Sequence, residues 1–224
     1  MIQPRLVIVG AGGHAGEVSA YLKHLREGGW EGILLGHLDD AVPVGPLGHT
    51  QVLGGVRVFE ASPPEFFQGL RYVTAIGDNA CRRRVVETLQ GLYGERMTSW
   101  TLLHPLSYVG DDVDIGKGSC LAPGAIVTCK TRIGRHCILN VKASVSHDCV
   151  VGDFVNLNPG VTICGNVTIG DGAYIGAGAT ITPHVSVGNG SIIGAGAVVI
   201  DDVPANVTAV GVPARFIKYN SVVF

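Results

Sequence analysis

From Val109 to Val199 every sixth residue is aliphatic without interruption, and the residue two positions before each is small or short, from Ser107, Val113 and Ser119 to Ser191 and Ala197. A fixed six-residue period of this kind is an internal repeat, and it decides the architecture before any single residue is considered. Residues i and i−2 of a strand point to the same side, so each repeat is a short strand with an aliphatic and a small side chain facing inward. The next two or three residues, often Gly, Asn or Asp, turn a corner. Three sides close an eighteen-residue coil, which predicts three inner columns. They are Val109, Val127, Val145, Ile163, Ile181 and Val199; then Ile115, Ile133, Val151, Ile169 and Val187; then Leu121, Leu139, Leu157, Ile175 and Ile193. The register leaves no room for a loop between Val109 and Val199, so the segment is an all-β parallel β-helix.

Composition narrows the function classes. The chain has 224 residues, 46% of them hydrophobic, enough to bury a full core. A net charge of −2 supplies no basic field, which argues against a nucleic-acid partner. No charged leader precedes an apolar run, and no stretch of about eighteen apolar residues occurs, so a cytoplasmic protein with no membrane contact is expected. The six cysteines form no CxxC pair, and Cys137 and Cys149 fall on inward positions of the repeat, so they read as reduced structural thiols. Among the eight histidines, His136, His147 and His184 lack the spacing of a β-helix zinc site, and no metal is expected.

Residues 1–103 read differently, as a small parallel α/β domain of Rossmann-like kind, with the β-helix and a C-terminal tail over residues 104–224. Arg5 to Val9 is an apolar strand, followed by Gly10-Ala11-Gly12-Gly13-His14-Ala15-Gly16 and a helical pattern through Val18, Tyr21, Leu22 and Leu25. A glycine turn between strand and helix lets backbone approach a phosphate at the helix N-terminus. It serves equally as a mere tight connection. A second strand, Gly32 to Leu38, ends in Asp39-Asp40, whose carboxylates are placed to accept hydrogen bonds from a ribose or a base. A third apolar run, Tyr72 to Ile76, ends at Gly77 and leads into a helix over Ala80 to Leu89. Two mononucleotide halves do not fit in this length, which disfavours a dinucleotide. Ala41 to Gly55, rich in Pro and Gly, reads as a surface loop, and the run Arg82-Arg83-Arg84 as a solvated helix face or a phosphate contact.

The segments GAGGHAGEV, LDD, AIGDNACRRR, LLHPLSYVG, SHDCVVGDFVNLNPGVTICGNV and GVPAR follow one another in the order found in a known family. The chain resembles the bacterial sugar O-acyltransferases of the sialic acid O-acetyltransferase type, and within them the nucleotide-linked 4-amino-sugar N-acetyltransferases that use acetyl-CoA. The resemblance covers nearly the whole chain, with the insert after Asp40 outside it. It implies a left-handed β-helix.

His147 lies in the corner after Val145, outside the inner column, and a neutral imidazole is an ordinary general base near neutral pH. A histidine in a turn is as readily a solvated surface residue. The resemblance assigns His147 as proton acceptor and the adjacent Asp148 as the acid that strengthens it. It also places Asn156, Gly165, Ala177 and Ala195 along acetyl-CoA, a co-substrate; at Asn156 the family commonly carries a second histidine, and asparagine can donate but not titrate. Gly12, Gly13 and His14 are implied to lie at the phosphates or the nucleotide-linked sugar, with His14 donating to an anion. Asp39 and Asp40 are implied at the base or ribose, and Gly77 near the nucleotide.

The resemblance implies a homotrimer with shared active sites, the coenzyme lying in the cleft between the β-helices of neighbouring subunits. The expected activity is N-acetylation of a nucleotide-linked amino sugar in bacterial surface glycan synthesis. O-acetylation of a sialic-acid-like sugar needs the same base, and a non-catalytic sugar-nucleotide-binding scaffold is the reading from another class.

Overall fold

The computed structural model describes residues 3–220, and the chain divides into two compact units, one ending at Trp100 and one beginning at Thr101. The division falls three residues before the expected one, because Leu102–Leu103 already pairs in parallel with Cys120–Leu121 as part of the coil.

In the first unit, β1 (Arg5–Val9) lies at the centre of a six-stranded sheet between β2 (Ile33–Leu38) and β5 (Leu70–Thr74), both parallel to it. Leu6 to Val9 are at most 2% exposed, as a continuous apolar run covered on both faces requires. Helix α1 (Gly13–Glu27) buries Ala15, Val18, Tyr21 and Leu22, one stripe at helical spacing. Helix α2 (Asn79–Tyr93) starts on Asp78, whose carboxylate accepts the Cys81 N–H at 2.6 Å. The strand β6 (Thr98–Ser99) closes the sheet beside β5.

The expected loop after Asp40 is instead a hairpin of β3 (Gly45–Leu47) and β4 (Thr50–Gly54), giving the sheet order β3-β4-β2-β1-β5-β6. β4 pairs in parallel with β2 and buries Val52. Pro46, which argued against a strand, sits on the outermost one, where a missing N–H costs no ladder bond.

The second unit is a parallel β-helix of two- and three-residue strands stacked in three sheets. Each strand pairs with the one eighteen residues on, Cys120 with Ile138, Ile126 with Ser144 and Arg132 with Val150. The three inner columns are those predicted. From Leu121 to Val199 every column residue is at most 3% exposed, and each contributes roughly 1.5–3 kcal/mol by leaving water. Val109 and Ile115, in the first coil, are partly buried.

The corners are equally regular. Every sixth residue from Asp112 to Gly196 has φ between 49° and 78°, the left-handed region, whether glycine or not. At one corner a side-chain ladder adds to the stacking. Asp153 Oδ1 accepts the Arg135 N–H at 2.7 Å, Asp171 Oδ1 accepts the Asp153 N–H at 2.7 Å, and Asn189 Oδ1 accepts the Asp171 N–H at 3.0 Å. Past the last coil, Val207–Val210 extends one sheet and Arg215–Tyr219 returns antiparallel on it.

Candidate active site

Two constellations carry chemistry, one in each unit. In the first, the C-terminal ends of β1, β2 and β5 open into a cleft of about 400 Å³ whose walls include Gly12, Gly13, His14, Asp39, Asp40 and Gly77. The six residues expected to hold a nucleotide-linked sugar are thus brought together, at the strand ends where open α/β sheets place ligands. Gly10 makes the turn possible: its φ is +115°, and a Cβ there would stand 2.8 Å from the Ala75 carbonyl oxygen. Gly12 and Gly13, by contrast, have no atom within 4 Å of a built Cβ, so the space at the start of α1 is open. The first N–H groups of a helix have no intrahelical partner and suit an anion.

The polar groups of the cleft differ in part from expectation. His14 Nδ1 lies 2.7 Å from Glu17 Oε2, while Nε2 is buried without a partner. A neutral ring that donates from Nδ1 to the carboxylate offers Nε2 as an acceptor to a ligand hydroxyl or amine, whereas the protonated ring donates from Nε2 to an anion, as the resemblance implies. Asp39 is occupied by main chain: Oδ2 accepts the Ala11 N–H at 2.9 Å, and Oδ1 accepts those of Ala41 and Val42 at 2.9 and 3.1 Å. Asp40 Oδ1 accepts the Val56 N–H at 2.9 Å. Both carboxylates therefore shape the rim of the cleft. Arg82 is fully buried and donates from Nη1 to the Ile76 carbonyl at 2.7 Å, which removes it from the solvated face and from any phosphate, while Arg83 pairs with Glu87. Ile76, Val56, Cys81 and Val85 complete the walls and were not anticipated; being apolar neighbours of strand ends, they carry no motif.

The second constellation is a corner of the β-helix. His147 and Asp148 occupy it, Asp148 with φ +58° like the equivalent residue of every coil. His147 Nδ1 stands 2.8 Å from Asp148 Oδ2, and the imidazole and carboxylate are about half exposed. A ring that donates from Nδ1 to the carboxylate carries on Nε2 the lone pair that a general base requires. Gly165 lies one coil further on, and its Cα sits beneath the imidazole: a built Cβ would be 2.5 Å from His147 Cε1 and 2.7 Å from Nε2.

Ala177 and Ala195 are both exposed and stack one above the other at a different corner. Their neighbours Gly178 and Gly196 have nothing within 4 Å of a built Cβ, so the backbone there is accessible to an extended ligand. Asn156 stands on a strand of the third sheet and is 4% exposed. The structure therefore groups His147, Asp148 and Gly165, and separately Ala177 and Ala195, but does not gather the four expected coenzyme residues at one corner. Cys149 is a poor acyl carrier: its thiol faces inward and donates to the Cys164 carbonyl at 3.1 Å, and burial pushes its pKa up. Among the described residues no group of three or more His, Cys, Asp or Glu could hold a metal ion, and no helix is long and apolar enough to cross a membrane.

Comparison with known proteins bears on both units. The family model described as the PglD N-terminal domain matches residues 5–89, including the hairpin expected to stand outside the resemblance, and the bacterial transferase hexapeptide model matches residues 166–201. GDP-perosamine N-acetyltransferase of Escherichia coli O157:H7 is 39% identical over 111 residues, 46% of this chain and 49% of that protein, so the alignment spans about half its length. Two solved structures align along nearly the full chain. The acetyltransferase domain of PglB from Neisseria gonorrhoeae in complex with acetyl coenzyme A is 31% identical, with TM-score 0.86, over 96% of this chain and all of that one. A mutant of perosamine N-acetyltransferase from Caulobacter crescentus in complex with CoA and GDP-perosamine is 30% identical, with TM-score 0.85, over 97% and 98% of the two chains.

Proposed function

Because the chain belongs to the family of hexapeptide-repeat transferases that act on nucleotide-linked amino sugars, we propose that it is an acetyl-CoA-dependent N-acetyltransferase of a nucleotide-linked 4-amino sugar, with His147 as general base. The single observation that carries the catalytic assignment is the His147–Asp148 pair, held at 2.8 Å on an exposed corner with Nε2 left to accept a proton.

In this reading the sugar nucleotide occupies the cleft at the ends of β1, β2 and β5, its phosphates at the start of α1 and a sugar hydroxyl or amine on His14 Nε2. The acceptor nitrogen attacks the thioester carbonyl carbon. A C–N bond forms, the C–S bond breaks, and the proton lost by the nitrogen passes to His147 Nε2 and from there to the departing thiolate. Asp148 keeps Nδ1 protonated and stabilises the imidazolium as it forms. The accessible backbone at Ala177 and Ala195 suits the amide-bearing arm of the coenzyme. No metal is assigned a role. The enzyme is proposed to be cytoplasmic, homotrimeric and active in surface glycan synthesis.

Release of free thiol from acetyl-CoA, followed with GDP-, UDP- and dTDP-linked 4-amino sugars, tests the activity. At least one of the three should be acetylated. His147→Ala should lower kcat roughly 10²- to 10⁴-fold, the usual contribution of a general base. Turnover by that variant within a factor of a few of wild type would remove the assignment, and no thiol with any of the three acceptors would remove the function.

A further inference from the structure

Gly165 is not demanded by its own backbone. Its φ lies outside the left-handed range, and the same corner position in the other coils carries Asp111, Cys129, His147 itself and Pro183, so the corner admits side chains. The contrast with Gly118 is instructive. That glycine also lies one coil from a histidine, with a built Cβ 2.4 Å from His136 Cε1, but its φ of +78° favours glycine regardless. At Gly165 the nearest obstruction to a side chain is the imidazole of His147. A built Cβ would meet three ring atoms of His147, Cε1 at 2.5 Å, Nε2 at 2.7 Å and Nδ1 at 3.1 Å, and nothing nearer.

We infer that Gly165 is a positioning residue for His147: its bare Cα is the floor on which the imidazole lies, and this floor, with the Asp148 carboxylate, fixes the direction of Nε2. The inference rests on His147 being the base. The carboxylate bond by itself restrains one ring nitrogen, and the ring can still swing about that contact. A surface packed against Cε1 and Nε2 removes the swing. This assigns to Gly165 a role distinct from the contact with coenzyme that the resemblance implies.

The obstruction that a methyl group would meet is the end of a half-exposed side chain and not backbone, so relief is cheap for the fold and costly only for the ring. Gly165→Ala should therefore fold like wild type, with the imidazole displaced by about an ångström or more. A misplacement of that size in a reacting group costs roughly 10²-fold. The expected result is a kcat lowered by about that factor with KM for acetyl-CoA and for the sugar nucleotide within about twofold of wild type. A raised KM for acetyl-CoA at unchanged kcat would show that Gly165 serves the coenzyme and would overturn the inference, as would unaltered kinetics.

A measurement on the unsubstituted protein guards against a variant that fails to fold. A nuclear Overhauser contact between the His147 Cε1 proton and the Gly165 α-protons is expected, and its absence would overturn the packing itself. Normal turnover by His147→Ala would instead sink the catalytic reading while leaving that contact intact, so the two failures are told apart.

Discussion

Asp39 illustrates how a residue expected to touch ligand can also hold the main chain around the cleft it lines. A carboxylate after a second parallel strand is an ordinary acceptor for a ribose, and its position in LDD led to that expectation. In the structure its oxygens take three main-chain N–H groups, and one of them, from Ala11, ties the glycine turn to the end of β2. The side chain type was legible and its partners were not, because loop amides compete for a carboxylate on equal terms with a ligand and leave no trace in local spacing. At His14 the place in the cleft was legible and the Glu17 carboxylate beside Nδ1 was not, since a partner three residues on in a helix carries no motif of its own. Asp39→Asn keeps one acceptor oxygen but sets an amide or a weaker carbonyl against the Ala11 N–H. Loss of one charge-assisted bond, about 1.5 kcal/mol, should loosen the turn and raise KM for the sugar nucleotide roughly tenfold. KM for acetyl-CoA should stay as in wild type. Steady-state kinetics with each substrate varied in turn checks this, and equal rises in both constants would contradict it.

At the level of the element, the β-helix was readable in its register and columns, since a period of six with inward aliphatic and small residues closes a three-sided parallel coil; its hand is not in the period. The α/β unit was readable in its strand and helix order but not at its edge, where the Pro- and Gly-rich segment after Asp40 forms β3 and β4. Local composition cannot distinguish a loop from a hairpin whose outer strand needs few donors. The Asp153, Asp171 and Asn189 ladder was also hidden, because its members lie eighteen residues apart and look like ordinary turn residues. Asp153 is the member with a charge partner, Arg135 Nη2 at 2.6 Å. Burial alone would raise its pKa, but the bonds from the Arg135 guanidinium and N–H and the nearby His136 outweigh that and hold it below the usual carboxylate range. A depressed folded-state value means that the stabilisation is whole above the unfolded carboxylate pKa of about 3.9 and fades as pH falls through the folded one. Asp153→Ala should cost about 1–2 kcal/mol at pH 7, and Asp153→Asn about 0.5 kcal/mol, since the pair is largely exposed on the arginine side. Urea midpoints measured from pH 7 downward should converge for wild type and the Asn variant below about pH 4. A gap that widens on acidification would show the wrong sign and refute the assignment.

For the whole molecule, the repeat that made the fold legible also limits what one copy can do alone. A coil whose register runs from Val109 to Val199 without an inserted loop has flat walls of two- and three-residue strands, and its corners repeat one backbone conformation. Ala177 and Ala195 are exposed, and Gly178 and Gly196 have nothing within 4 Å of a built Cβ, so this corner of the coil presents open backbone. An extended acyl carrier held by such a surface needs an opposing one, which a neighbouring copy of the same coil supplies in the proposed trimer. Rotational symmetry then repeats the shared cleft once per copy. The side of the β-helix that carries Val109, Val127 and Val145 also leaves Tyr108 and Ile126 59% and 41% exposed, apolar area that an interface between copies would cover. Sedimentation equilibrium should give a single species at three times the 23.3 kDa chain mass, at the protein concentrations used for assay. A species of one chain mass that acetylates its sugar nucleotide at full rate would mean that one coil holds the coenzyme by itself, and the two-walled cleft would have to be abandoned.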